Sequence, residues 1–115
     1  MPRFGRVSVA MVTPFDEVGE LDIDAAVALA KWLVAEGNES LVVAGTTGES
    51  ATLSIDEKLT LFEAIAAAVT VPVIAGTTGS NTRQDIGLTA EASKLGIAGV
   101  LGVSPYYSRP SQTGI

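Results

Sequence analysis

Four short apolar runs set the terms for this chain: residues 7–12, 41–44, 71–75 and 100–104 are rich in Val, Ile and Leu and are bounded by Gly, Pro, Thr or Ser. Each has the length and composition of a strand buried on both faces. They recur at a spacing of roughly 30 residues, with a helical pattern in each gap, as repeated βα units do. The pattern predicts helices over residues 23–36, 55–69 and 82–95. Asp22 is placed to cap the first, and Gly37 supplies its left-handed exit. Ile23, Val27, Ala30 and Val34 fall on one face of that helix. Ser54-Ile55-Asp56-Glu57 has the form of a capping box for the second, whose apolar stripe is Ile55, Leu59, Phe62, Ala66 and Val69. The third ends at Gly96, is weakened by Gly87, and turns Ile86 and Ala90 inward. The order is βαβαβαβ, an α/β chain with parallel strands and right-handed crossovers. Either half of an eight-stranded barrel or part of a doubly wound sheet meets that description.

Composition removes whole classes of chemistry. The chain has no cysteine and no histidine, which excludes disulfides, zinc–thiolate sites and thiol catalysis and takes away the usual general base. Acid–base work falls to Tyr, Lys, Asp, Glu or a relay of hydroxyls. The formal charge is −6 and the four arginines are scattered, so nucleic acid is not the expected partner. The apolar run at residues 7–12 is too short for a signal segment or a membrane span, and a soluble cytoplasmic protein is expected.

Active sites of parallel α/β folds lie beyond the C-terminal strand ends. Those ends here are Thr13-Pro14-Phe15, Gly45-Thr46-Thr47-Gly48-Glu49-Ser50, Gly76-Thr77-Thr78-Gly79-Ser80-Asn81 and Pro105-Tyr106-Tyr107. They offer hydroxyls and free backbone N–H groups, a surface suited to carboxylate or phosphate. Neither a P-loop nor a G-x-G-x-x-G is present. The second and third ends echo one another, and shared βα geometry with Gly in the tight turn explains most of that echo, though not the recurrence of hydroxyls. From spacing alone Tyr106 and Tyr107 read as amphipathic loop anchors before they read as chemistry. Glu49 reads first as a loop or helix-start acceptor. Lys31, Lys58 and Lys94 all fall inside predicted helices and read as solvated. None sits at a strand end, where a desolvated imine-forming lysine is needed.

Gly45-Thr46-Thr47-Gly48-Glu49-Ser50 closely resembles the dihydrodipicolinate synthase and N-acetylneuraminate lyase family. Ala10-Met11-Val12-Thr13-Pro14-Phe15, Pro72-Val73-Ile74-Ala75-Gly76 and Val103-Ser104-Pro105-Tyr106-Tyr107-Ser108-Arg109-Pro110 look like its first, third and fourth strands with their loops. The resemblance runs the length of the chain. It implies a (β/α)₈ TIM barrel, of which residues 1–115 supply roughly the first half as the N-terminal part of a single domain, the remainder of the barrel lying outside the chain. It also implies Schiff-base chemistry on pyruvate, with no metal or organic cofactor, in a homo-oligomer, commonly a homotetramer. The threonine pair with the double tyrosine points to the synthase branch, which condenses pyruvate with aspartate semialdehyde in lysine (diaminopimelate) biosynthesis. The alternatives are an N-acetylneuraminate or keto-deoxy sugar acid lyase, or a non-catalytic half-barrel that self-associates through open strand edges.

By position, Thr46 resembles a hydroxyl in a proton relay between two tyrosines, Tyr107 the relay tyrosine that reaches across a subunit interface, and Thr47 the residue that holds the pyruvate carboxylate. The family's second relay tyrosine and its imine lysine belong to the fifth and sixth strands, beyond Ile115, so the 115-residue chain alone is expected to be inactive. After the third strand the family usually reads G-x-G-x-N-x-T, and here the second Gly and the Asn come one position late. That loop lies near the family's allosteric site. The positions matching that site are Ile55, Lys58, Ser80, Gln84 and Tyr106. A cation at Lys58 and no carboxylate at Gln84 imply a weak response to lysine.

Overall fold

The computed structural model describes residues 3–79, 81–104 and 110–114. Four strands, β1 (Ser8–Ala10), β2 (Ser40–Val43), β3 (Val73–Gly76) and β4 (Gly99–Leu101), alternate with helices α1 (Ile23–Ala35), α2 (Ile55–Ala68) and α3 (Thr82–Ala92). Short 3₁₀ turns occupy Ser50–Thr52 and Gln112–Gly114. All strand pairs are parallel and lie in the order β1-β2-β3-β4. That order decides between the two architectures left open by the sequence. A doubly wound sheet reverses its strand order at a switch point, whereas here each crossover advances the same way, and the right-handed rule for parallel strands then carries successive helices to one face, where α1 packs on α2 and α2 on α3. This is the winding of a barrel.

The helix ends follow their local chemistry. Asp22 accepts from the Ala25 N–H at 3.0 Å. Ser54 and Glu57 form a reciprocal capping box, Ser54 Oγ accepting from the Glu57 N–H at 3.1 Å and Glu57 Oε1 from the Ser54 N–H at 2.8 Å. Gly37 and Gly96 leave α1 and the turn after α3 at φ 106° and 80°. The strands are shorter than their apolar runs. Ala44, expected in β2, turns left-handed at φ 57° and ends it. Beyond Ala10 the Met11 N–H still reaches the Val42 carbonyl at 2.9 Å, but Pro14 has no donor to extend the ladder.

The core lies between the sheet and its helices. Leu41, Val43, Val73 and Ala75 meet Ala26 and Ala30 of α1, Leu61, Phe62 and Ile65 of α2, and Leu88 and Ala92 of α3. Apolar side chains of the size of Phe62 each gain about 2 kcal/mol or more from such burial. In α3 the inward face differs from the expected one: Ile86 is 66% exposed, Ala90 is exposed, and Leu88 and Ala92 are buried. Two residues along a helix rotate a side chain by roughly 200°, so Ile86 and Leu88 cannot both face the sheet. A half-buried hydroxyl contact helps select the setting, with Thr89 Oγ1 donating to Thr77 Oγ1 at 2.8 Å.

Candidate functional site

At the C-terminal end of β2 the chain reverses in a tight turn that carries Thr46 and Thr47. The Glu49 N–H donates to the Thr46 carbonyl at 3.0 Å, and the Ser50 N–H to the Gly45 carbonyl at 3.2 Å. Ala44 enters the turn and Glu49 leaves it with φ of 57° and 58°, a backbone region that non-glycine residues adopt only under constraint. Gly45 and Gly48 are buried, while Thr46 and Thr47 are exposed. Among the described residues neither threonine hydroxyl has a hydrogen-bond partner. The turn therefore presents two adjacent hydroxyls, unpaired among the described residues, at the face where barrel chemistry takes place.

Thr46 also lines a cavity of about 470 Å³, together with Glu49, Lys58, Thr78, Leu101 and Val103. Beyond the last β3–β4 backbone pair, Thr78 carries the pairing on through its side chain, accepting from the Val103 N–H at 2.7 Å. Lys58 departs from the sequence reading, which placed it on a solvated face. It stands in the first turns of α2, half-buried against the strand-end loops. Loss of water lowers its pKa below the ordinary lysine value, and the negative charge of Asp85 partly offsets this. Among the described residues it forms no ion pair. The sequence did carry a signal for this placement, since the start of a helix that follows a strand-end turn always lies at the active face of a βα unit.

Tyr106 and Tyr107 lie outside the described residues, as does Ser80. The shifted asparagine has a clear local role. Asn81 is the cap of α3, its Oδ1 accepting from the Gln84 N–H at 3.1 Å, and Asp85 Oδ2 accepts from the Gly79 N–H at 2.8 Å. Gln84, one of the positions matching the allosteric site, is exposed. Among the described residues, no three His, Cys, Asp or Glu side chains group as metal ligands, and no helix is long and apolar enough to cross a membrane.

A singly wound parallel sheet of four strands, each followed at its C-terminal end by a loop, is the winding of part of a (β/α)₈ barrel of the TIM type. The sequence profile of the dihydrodipicolinate synthetase family matches residues 3–115, and the chain belongs to that family. A 4-hydroxy-tetrahydrodipicolinate synthase of Halalkalibacterium halodurans is 52% identical, the match covering 97% of this chain and 39% of the relative. The crystal structure of a dihydrodipicolinate synthase from Cyanidioschyzon merolae with lysine bound superposes with a TM-score of 0.93 at 45% identity, covering 97% of this chain and 39% of that one. An N-acetylneuraminate lyase from Mycoplasma synoviae shares the fold with a TM-score of 0.89 at 27% identity, covering 97% of this chain and 40% of that one. The chain thus spans about two fifths of the length of the proteins it matches.

Proposed function

We propose that residues 1–115 form the first half of a single barrel domain in an enzyme that condenses pyruvate with aspartate semialdehyde through a Schiff base, in the biosynthesis of lysine by way of diaminopimelate. The observation that carries this reading is the pair of hydroxyls on Thr46 and Thr47, unpaired among the described residues and held at the C-terminal end of β2 in a chain of this family. The greater identity to the synthases than to the sialic acid lyase favours the synthase over a sugar acid lyase.

In this reading a lysine amine from outside these residues adds to the pyruvate ketone and water leaves, giving the imine. Removal of a proton from the methyl carbon gives the enamine, which attacks the aldehyde carbon while the aldehyde oxygen takes up a proton. Those protons must cross a site screened from solvent. Thr46 passes them along a chain of hydroxyls that includes Tyr107, contributed across a subunit interface of a homotetramer. Thr47 donates to the pyruvate carboxylate. The working enzyme is cytoplasmic and uses no metal or organic cofactor.

Lysine is bound in the structure of the Cyanidioschyzon merolae relative. In this chain Lys58 lines the cavity with Glu49 and Thr78 and stands at a position matching the family's allosteric site, so a second ammonium at that site meets like charge, and lysine acts weakly or not at all. The assay that tests the main reading supplies the protein, as its gene encodes it, with pyruvate and either aspartate semialdehyde or sugar aldehydes. Condensation with aspartate semialdehyde is expected. Turnover confined to sugar aldehydes would overturn it.

A further inference from the structure

The turn that carries Thr46 and Thr47 is clamped from the loop after β1, and the clamp is a single hydroxyl. Thr13 Oγ1, in a side chain only 5% exposed, donates to the Gly48 carbonyl at 2.6 Å. We propose that Thr13 is a positioning residue for the Thr46 and Thr47 hydroxyls, an inference that rests on the synthase reading for what those hydroxyls do.

The geometry is specific. One peptide plane joins Gly48 to Glu49. Its carbonyl is held by Thr13, and its N–H donates to the Thr46 carbonyl at 3.0 Å. A rotation of that plane therefore moves Thr46 directly and Thr47, which lies between the two anchor points. The approach is close because position 48 is glycine. A Cβ there would stand 2.9 Å from the Met11 carbonyl oxygen and 3.1 Å from Thr13 Oγ1. The turn also needs holding. Ala44 and Glu49, at its two ends, both sit in left-handed backbone, which persists only where the surroundings over-determine it. Among the described residues the Thr46 and Thr47 hydroxyls have no hydrogen-bond partner of their own, so within that set this backbone fixes where they stand.

Thr13→Val keeps the shape of the side chain and removes the donor, and Thr13→Ser keeps the donor and removes the methyl group. The measurements are the melting temperature, amide hydrogen exchange at Glu49, and kcat and KM for pyruvate with aspartate semialdehyde. In Thr13→Val the Glu49 amide is expected to exchange at least about tenfold faster. Its kcat is expected to fall roughly 10- to 100-fold, the scale of a small misplacement of reacting groups, and its KM for pyruvate to rise. Thr13→Ser is expected to match the unaltered protein in all of these. Unchanged Glu49 exchange or unchanged kinetics in Thr13→Val overturns the proposal, and so does a Thr13→Ser protein as impaired as Thr13→Val; if the valine variant does not fold, a fall of about tenfold or more in the kcat of Thr13→Ser overturns it. A lowered melting temperature with kcat and KM intact shows a merely structural contact and also overturns it. If the unaltered protein does not condense pyruvate, the synthase reading fails, and Glu49 exchange alone then decides whether Thr13 holds the turn.

Discussion

The carbonyl oxygen of Ala44 fills the space that a side chain on Gly76 would need. A Cβ at position 76 would fall on that oxygen and on the Ala44 carbonyl carbon, both backbone atoms that cannot swing aside. Strand β3 thus approaches the Thr46 turn so closely only because its last residue has no side chain.

Gly76→Ala should destabilise the protein by about 3 kcal/mol, the upper part of the usual range for overpacking a tight site. In a polypeptide of these 115 residues that lowers the melting temperature by roughly 10 °C or more, and by less in a longer cooperative unit. Gly87→Ala is the matching control. Among the described residues nothing lies within 4 Å of a Cβ built at position 87 in α3, so the gain in helix propensity should stabilise by about 0.5–1 kcal/mol. Thermal melts of the two variants should move in opposite directions, and equal shifts would show that the Ala44 contact is not tight.

Thr46→Val and Thr47→Ala should separate the two hydroxyls by their kinetics. Both side chains are exposed and hold nothing else among the described residues, so stability should change by no more than about 0.5 kcal/mol. Loss of a proton carrier at Thr46 should lower kcat by about 10²-fold or more, and Tyr107→Phe should act in the same direction. Loss of the carboxylate donor at Thr47 should raise the KM for pyruvate. Steady-state kinetics check each, and an unchanged kcat in Thr46→Val or Tyr107→Phe would remove that residue from the relay.

Lys58 carries both a pH dependence and a regulatory consequence. Its folded-state pKa lies below the ordinary value because burial disfavours the charged form. The folded protein therefore binds fewer protons than the unfolded chain between the folded pKa and 10.5, and stability from this group grows as pH rises through that window and is lost as pH falls through the folded pKa. Much of the side chain is still in water, so screening holds the effect below about 1 kcal/mol. Lys58→Met should stabilise slightly at neutral pH, with the difference shrinking toward the alkaline end of the window. Calorimetric titration with lysine should show weak or no binding to the unaltered protein. Tight binding would mean that Lys58 does not occupy the effector's place.

Most of the architecture was legible because it is written locally. Asp22 and Ser54 mark helix starts by what their own side chains bond, and the alternation of strand and helix periods places Thr46 and Thr47 at a strand end without any structure. Features that depend on a distant partner were not legible. Ala44 reads as the last residue of a strand, and its left-handed turn is packed closely against Gly76 of β3. Ile86 and Ala90 read as core because α3 is short and polar, so its apolar stripe is ambiguous, and the contact between Thr77 and Thr89 helps settle it. The environment of Lys58 is made by Thr78 and Gly79, some 20 residues away along the chain, roughly the length of one βα crossover.

Imine formation gives the sharpest test of where the nucleophile lies. Lys31, Lys58 and Lys94 are the three lysines of the sequence, and an imine-forming lysine works from a desolvated position facing the substrate. Lys31 is exposed on α1, and Lys94 is exposed and paired with Glu91 at 3.3 Å. Lys58 comes nearest to the requirement, since it is partly desolvated and shares a cavity with Thr46. Yet it reaches that cavity from a helix, not from a strand end, and the negative charge of Asp85 opposes loss of its proton and repels the carboxylate of pyruvate. A polypeptide of these 115 residues, treated with pyruvate and borohydride and then weighed intact, should show no stoichiometric adduct on a lysine. A stoichiometric adduct that peptide mapping places on Lys58, and that Lys58→Arg abolishes, would make this helix lysine the nucleophile and overturn the proposal that the imine forms on a lysine outside the chain.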